Sequence, residues 1–333
     1  MQHLLKIIAF SLLFPCCEKI GDAAAPSRDP EQNFQHLWQV IKNKYSFFEH
    51  KRIDWDSVYH VYQPQIRKEM SDTELFAVLA AMMNELRDGH VNLYSSFNVS
   101  RYLPVFYNSP ENYDRAVVMR HYLGAHFYTT GPFLHSWVGD SQVAYVHYGS
   151  FSSSFSAQQL TFISERYSGA KGLILDLRNN GGGAVSNMLR LAAAVADTRR
   201  HVYTTYVKNG PGPADFKKSA DFFIDPAGIP LHEKIVVLTN RNSYSASSYF
   251  ASCMKAFPHV MLLGDTTGGG TGAPTGGELP NGWGYRFSGT YSLTALGHNY
   301  EDGVPPDTVV WLNPASLLAG KDDMIEAAID YLK

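Results

Sequence analysis

Apolar residues recur along this chain first at helical spacing and later in short strand-like runs, and the change divides it. From Asn33, the residues Phe34, Leu37, Trp38, Ile41 and Tyr45 fall three or four apart and predict an amphipathic helix. A second helix is predicted from Asp54 or Asp56, with Val58, Tyr62 and Ile66 on one face. SDTE, Ser71 to Glu74, is a capping-box pattern that opens a third, whose inner stripe is Leu75, Leu79, Met82, Met83 and Leu86. The helical unit, residues 33–95, ends at LRDGHVNLYS, where Gly89 releases the chain and VNLY reads as a strand.

Over residues 96–140 the pattern breaks up. LPVFY, RAVVMRHYL and AHFYTT are β-like runs between Pro, Asn and Gly, and predict a small sheet or hairpin pair. From residue 141 strands and helices alternate: QVAYVHYGSF, the helix SAQQLTFISERYS, the strand KGLILDLRNNGGG running into glycines, the helix VSNMLRLAAAVA and the strand HVYTTYVK. VVLT followed by Ala246 to Phe257 is another strand and helix, HVMLLGDTTGGGTG another strand into glycines, and DDMIEAAIDYLK a closing amphipathic helix. This alternation predicts an α/β core over residues 141–333, so that the whole chain is mixed α/β with a helical N-terminal unit.

The first residues stand apart. One lysine and the apolar run Ile7 to Phe14, too short to span a bilayer, match an export signal over residues 1–22, with a polar tether over 23–32. Cys16 and Cys17 resemble a bacterial lipoprotein cleavage site with Cys17 as the acylated residue, although Cys16 stands where Gly, Ala or Ser is usual. The expectation is an exported lipoprotein, anchored to a membrane of the bacterial cell envelope. Cys253 is the remaining cysteine, so no internal disulfide framework is predicted.

Composition narrows the chemistry. The 333 residues, 45% hydrophobic and 18% charged, allow a sizeable core. A net charge of −3 without a long basic run gives no electrostatic reason to expect nucleic acid. The histidines lack zinc spacing, and the glycine-rich loops contain neither GxGxxG nor GK[ST]; neither a metal nor a cofactor is predicted.

Four places carry candidate chemistry. Ser245 lies between a buried strand and a helix, where free backbone N–H groups favour developing negative charge; it is equally a common capping residue. The glycines after LILDLRNN are either a tight turn or an anion or oxyanion hole. His90 of DGH is a possible base, and Glu301 or its neighbour Asp302 a possible acid.

These pieces together resemble the serine peptidase family of the C-terminal-processing (tail-specific) proteases and the tricorn core. The resemblance runs over about residues 33–330 and rests on LRDGHVNL, GLILDLRNNGGG, NSYSASSYFA, LLGDTTGGGTGAP and EDGVPPD in the family's order. It implies a crotonase-like core, Ser245 as nucleophile, and Gly182 and Ala246 as donors of oxyanion N–H groups. The tail-specific branch uses a lysine as base, but Gly270 occupies that position here. Lys255 begins about 15 Å further along the helix that Ser245 opens and is out of reach. The tricorn-like branch uses the histidine of D-x-H and a later glutamate, which implies a Ser245–His90–Glu301 triad; Gly89 stands where that branch has a serine. The interval from Val91 to Asp140 is too short for the PDZ domain that many relatives carry.

The expected partner is a peptide or protein substrate, with the oligomeric state left open. Because the family extends to retinoid-binding proteins, a non-catalytic protein holding a peptide or an apolar ligand is the alternative. An α/β-hydrolase is disfavoured, since YSASS lacks the GxSxG elbow.

Overall fold

The computed structural model describes residues 25–333 apart from 108 and 230. The expected export signal and Cys17 lie outside the described residues.

Helix α1 (Pro30–Lys44) starts on the Asp29 side chain, which accepts the N–H groups of Glu31 and Gln32. It is followed by α2 (Phe48–Lys51), α3 (Trp55–Tyr62), capped by Asp54, and α4 (Asp72–Asn84), which opens with the Ser71–Glu74 capping box. Strands β1 (Asn92–Tyr94) and β2 (Val99–Arg101) form a hairpin. Next come α5 (Pro104–Tyr107), α6 (Arg115–Val117) running into a π-helical turn to Leu123, and strands β3 (Tyr128–Thr130), β4 (Phe133–Val138) and β5 (Val143–Tyr148).

The core continues with α7 (Ala157–Arg166), β6 (Leu173–Asp176), α8 (Val185–Val195), β7 (Arg200–Lys208), β8 (Phe216–Ile224), β9 (Ile235–Thr239) and α9 (Ala246–Met254). Strands β10 (Val260–Gly264), β11 (Pro274–Glu278), β12 (Gly284–Ser288), β13 (Thr290–Thr294) and β14 (Thr308–Val309) follow. Helices α10 (Pro314–Leu318) and α11 (Asp323–Leu332) close the chain.

The main sheet has seven strands in the order β14-β10-β9-β6-β5-β4-β3. It is parallel from β14 to β5, and β4 and β3 continue it antiparallel. Both faces are covered, so its parallel strands read as unbroken apolar runs. Leu173, Leu175, Ile235 and Val237 pack with residues of α8 and α9, whereas Ile174, Val236 and Leu238 pack with α11. A second sheet, β11-β12-β1-β2, joins strands from both ends of the chain and receives the apolar stripes of α1 and α4. Strands β13, β7 and β8 make a third.

Residues 96–140 depart from expectation. Of the three runs, LPVFY and RAVVMRHYL are largely helical, and AHFYTT alone contributes a strand, YTT, which pairs with β4. Asp114 caps the second helix by accepting the Val117 N–H, while Val118 and Tyr122, four apart, bury one face against the main sheet. The β-branched run had masked that helical spacing.

A buried ion cluster fixes α11 to the sheet. Arg178, fully buried, reaches Asp176 at 2.7 Å and Asp322, the cap of α11, at 2.8 Å. Burial opposes ionisation of Asp176, but the guanidinium outweighs it and holds the acid below its usual range.

Candidate active site

The loop from β9 to α9 is pinned before it reaches Ser245. Ser243 Oγ donates to the Leu177 carbonyl at 2.8 Å, Tyr244 N–H to the Asn180 carbonyl, and Ser245 N–H to the Gly269 carbonyl. Ser245 is held at φ 55°, ψ −117°, a left-handed backbone for a residue with a side chain. Such conformations cost on the order of 1–3 kcal/mol and persist only where the surroundings impose them. Although Ser245 precedes the first residue of α9, its hydroxyl makes no capping bond; it lies 3.0 Å from His90 Nε2 instead.

His90 reaches that place from the other end of the chain. It lies two residues before the first residue of β1, Asn92, which pairs with Arg286 of β12, whose Nε donates to the His90 carbonyl. Asp88 folds the DGH turn: one carboxylate oxygen accepts the His90 N–H at 2.8 Å, and the other accepts the buried Tyr45 hydroxyl at 3.2 Å. Burial lowers the His90 pKa; Asp88 opposes this, while Arg286 and Lys51 reinforce it. The ring is therefore neutral at pH 7. Nε2 accepting from Ser245 would place the proton on Nδ1, which is buried and has no hydrogen-bond partner among the described residues.

Glu301, also buried, shares Asp88, Lys51 and Gly272 as neighbours with His90 but does not bond that nitrogen. Its Oε2 accepts the Gly272 N–H at 3.0 Å, and its Oε1 is 3.7 Å from Lys51 Nζ. Burial first, and then Asp88, push the carboxyl up to about 8 against the opposing pull of Lys51, so it is protonated at neutral pH. Gly272 stands between the two side chains. Its carbonyl lies near enough to favour the charged His90 ring without meeting hydrogen-bond geometry. Asp302, the competing acid, is exposed and pairs with His50 at 2.9 Å.

The glycine loop closes on the serine. A Cβ on Gly182 would lie 2.9 Å from both Ala246 N and Ser245 Cβ, and Gly182 has φ 94°, so glycine is required twice over. Its N–H donates to Asn180 Oδ1 at 3.0 Å, and Asn180 is itself tied to the Tyr148 carbonyl. Ala246 opens α9, where first-turn N–H groups lack intrahelical acceptors. Among the described residues no group of three or more His, Cys, Asp or Glu side chains is placed to hold a metal ion. No helix among them is long and apolar enough to cross a membrane.

The model of Peptidase family S41 matches residues 142–310, and that of the tricorn protease C1 domain matches residues 26–84. The chain belongs to peptidase family S41. A crystal structure of a candidate peptidase from Parabacteroides merdae superposes with a TM-score of 0.87 at 37% identity, covering 92% of this chain and 97% of that one. The carboxyl-terminal-processing protease of Picosynechococcus is 28% identical over 57% of this chain and 45% of its own length. Mature CPAF shares the fold, with a TM-score of 0.66 at 12% identity, over 91% of this chain and 97% of that one. The chain thus spans less than half the length of the curated relatives it matches.

Position 270 of this S41 chain is occupied in an unexpected way: the ring of Tyr244 fills the space where a side chain would start, 2.2 Å from an ideal Cβ. Lys255 points elsewhere and pairs with Asp307 at 2.6 Å. Of the residues that line the site, sequence reasoning had not singled out Tyr45, Lys51, Tyr244, Gly272 or Arg286. Tyr244 lay inside the quoted SYSAS motif and Gly272 inside GGGTGAP, so a motif signal existed for both. Lys51 and Arg286 stand in no motif, and only packing brings them in.

Proposed function

We propose that this chain is a serine peptidase that hydrolyses peptide bonds through Ser245, His90 and Glu301 with a backbone oxyanion hole. The observation that carries the reading is the 3.0 Å contact between His90 Nε2 and a serine in a left-handed backbone at a helix start. In the proposed reaction Ser245 Oγ attacks the scissile carbonyl carbon while its proton passes to His90 Nε2. The Ala246 N–H, and that of Gly182 once released from Asn180, receive the developing oxyanion. His90 then returns the proton to the leaving amine, and water repeats the sequence on the acyl-enzyme. Glu301 is the third member, acting across Gly272 on the imidazolium. Asp88, whose carboxylate accepts the His90 backbone N–H at 2.8 Å, is the second nearby acid.

The substrate is a peptide or a protein, and the proposed setting is the cell envelope, with Cys17 as a lipid anchor. The test is labelling with a fluorophosphonate, which reports an activated serine without knowledge of the substrate, together with cleavage of unstructured casein. Wild type is expected to label and cleave, and Ser245→Ala and His90→Ala to do neither. Cleavage by a folded Ser245→Ala protein would sink the assignment. A wild-type protein that binds peptides but neither labels nor cleaves would favour the non-catalytic alternative.

A further inference from the structure

Tyr244 is enclosed by glycines from separate parts of the chain. An ideal Cβ on Gly89 would meet its Oη at 2.7 Å and Cζ at 3.0 Å; one on Gly270 would meet Cζ at 2.2 Å; one on Gly268 would meet Cδ2 at 3.1 Å. Gly270 also has φ 69°, which alone favours glycine. Gly89 has no such backbone reason, so the Tyr244 phenol is what excludes a larger residue beside His90. The ring is buried, and Phe106 packs its edge against it at 5.0 Å. On another side its centroid lies 5.0 Å from that of the His90 ring, with planes 56° apart. His90 Nδ1, where a serine-peptidase histidine is usually steadied, has no hydrogen-bond partner among the described residues; the Gly272 carbonyl lies near it but short of hydrogen-bond geometry.

We propose that Tyr244 is a positioning residue: its ring, clamped by Gly89, Gly268, Gly270 and Phe106, holds the His90 imidazole so that Nε2 stays on Ser245 without a bond to Nδ1. The inference rests on the reading of Ser245 and His90 as nucleophile and base. It also accounts for Gly89, which has no backbone reason to be glycine, and adds a packing reason at Gly270. At positions 89 and 270 the room for a side chain is taken by the same phenol, so the histidine is supported by packing where a hydrogen bond would otherwise do it. A close-packed neighbour restricts the rotamers open to an imidazole even where no hydrogen bond fixes it.

The rate of fluorophosphonate labelling at Ser245, measured against pH on the full chain, tests this. Tyr244→Ala is expected to slow labelling on the order of 10²-fold, the cost of an ångström-scale misplacement. Its pH midpoint is expected to rise toward about 6.5, because water then reaches the ring. Asp88 from the same segment, Arg286 from β12, Lys51 from α2 and the buried Glu301 remain in every variant, so the rise reports the lost ring. Tyr244→Phe, which keeps the ring, is expected to restore both rate and midpoint.

Gly89→Ala is expected to slow labelling in the wild type. In the Tyr244→Ala background it should change the rate by no more than about twofold, the scatter of non-interacting sites. A solely structural tyrosine would lower the melting temperature and leave the pH midpoint in place. Folded Tyr244→Ala with wild-type rate and midpoint overturns the proposal. If that variant does not fold, Tyr244→Leu carries the same comparison, and a wild-type rate in Gly89→Ala, where every ring is retained, overturns it independently. Labelling of Ser245→Ala at the wild-type rate would instead overturn the reading of the site.

Discussion

Glu301 reaches the Gly272 N–H at 3.0 Å, and among the described residues His90 Nδ1 has no hydrogen-bond partner. In a peptidase triad whose acid bonds the histidine, replacing that acid by its amide costs roughly 10⁴-fold in kcat, because the amide imposes the wrong tautomer. Here the acid does not bond Nδ1 and is already protonated at neutral pH. Glu301→Gln is therefore expected to lower kcat by only about tenfold, far less than His90→Ala, since triad members that act as a unit lose nearly everything singly. Peptide cleavage by the two variants decides it. Equal losses would mean that Glu301 ionises and bonds Nδ1 during turnover.

The pH dependence of kcat/KM reports the free enzyme's base. Burial lowers the His90 pKa, so the neutral, proton-accepting ring persists to lower pH than an ordinary histidine. Activity is expected to rise through one ionisation with a midpoint below 6.5 and then level off. A midpoint in the lysine range would rule His90 out as the base.

Stability should carry the mark of Glu301. Its folded pKa, about 8, lies above the ordinary 4.5. The folded state thus holds a proton that the unfolded chain has lost, and the corresponding stability is fully present below pH 4.5 and lost as pH rises through about 8. Urea midpoints of Glu301→Gln, compared with wild type, are expected to improve steadily across that window and to run parallel outside it. Parallel curves throughout would show that the carboxyl is not held neutral.

The Arg178 cluster should be among the costliest to break. Arg178→Met leaves Asp176 and Asp322 buried without their shared cation and is expected to destabilise the fold by about 3–5 kcal/mol. Chemical denaturation measures this, and a loss under about 1 kcal/mol, the range of an exposed ion pair, would contradict it.

Anchoring through Cys17 is testable in cells. The mature chain is expected to fractionate with membranes and Cys17→Ala to become soluble, because an acyl chain contributes about 0.8 kcal/mol for each buried CH₂. Mass spectrometry that finds an unmodified N-terminus downstream of Ala23 would exclude the anchor.

Local order determined much of the fold on its own. The Ser71 capping box, the apolar runs of β6 and β9 and the amphipathic α11 each follow from neighbours a few residues apart, so they were readable without a partner. The motif order carried Ser245, His90 and Glu301 as candidates. What the tertiary structure alone decided is how those three meet. His90 reaches Ser245 because β1 pairs with β12 across nearly 200 residues, a register that no local pattern encodes. The same long-range packing placed the Tyr244 ring where Gly270 lacks a side chain and turned Glu301 toward Gly272 and Lys51. The spacing of residues along a chain fixes which face of an element they share. It does not fix which atoms of two distant elements come within hydrogen-bond reach.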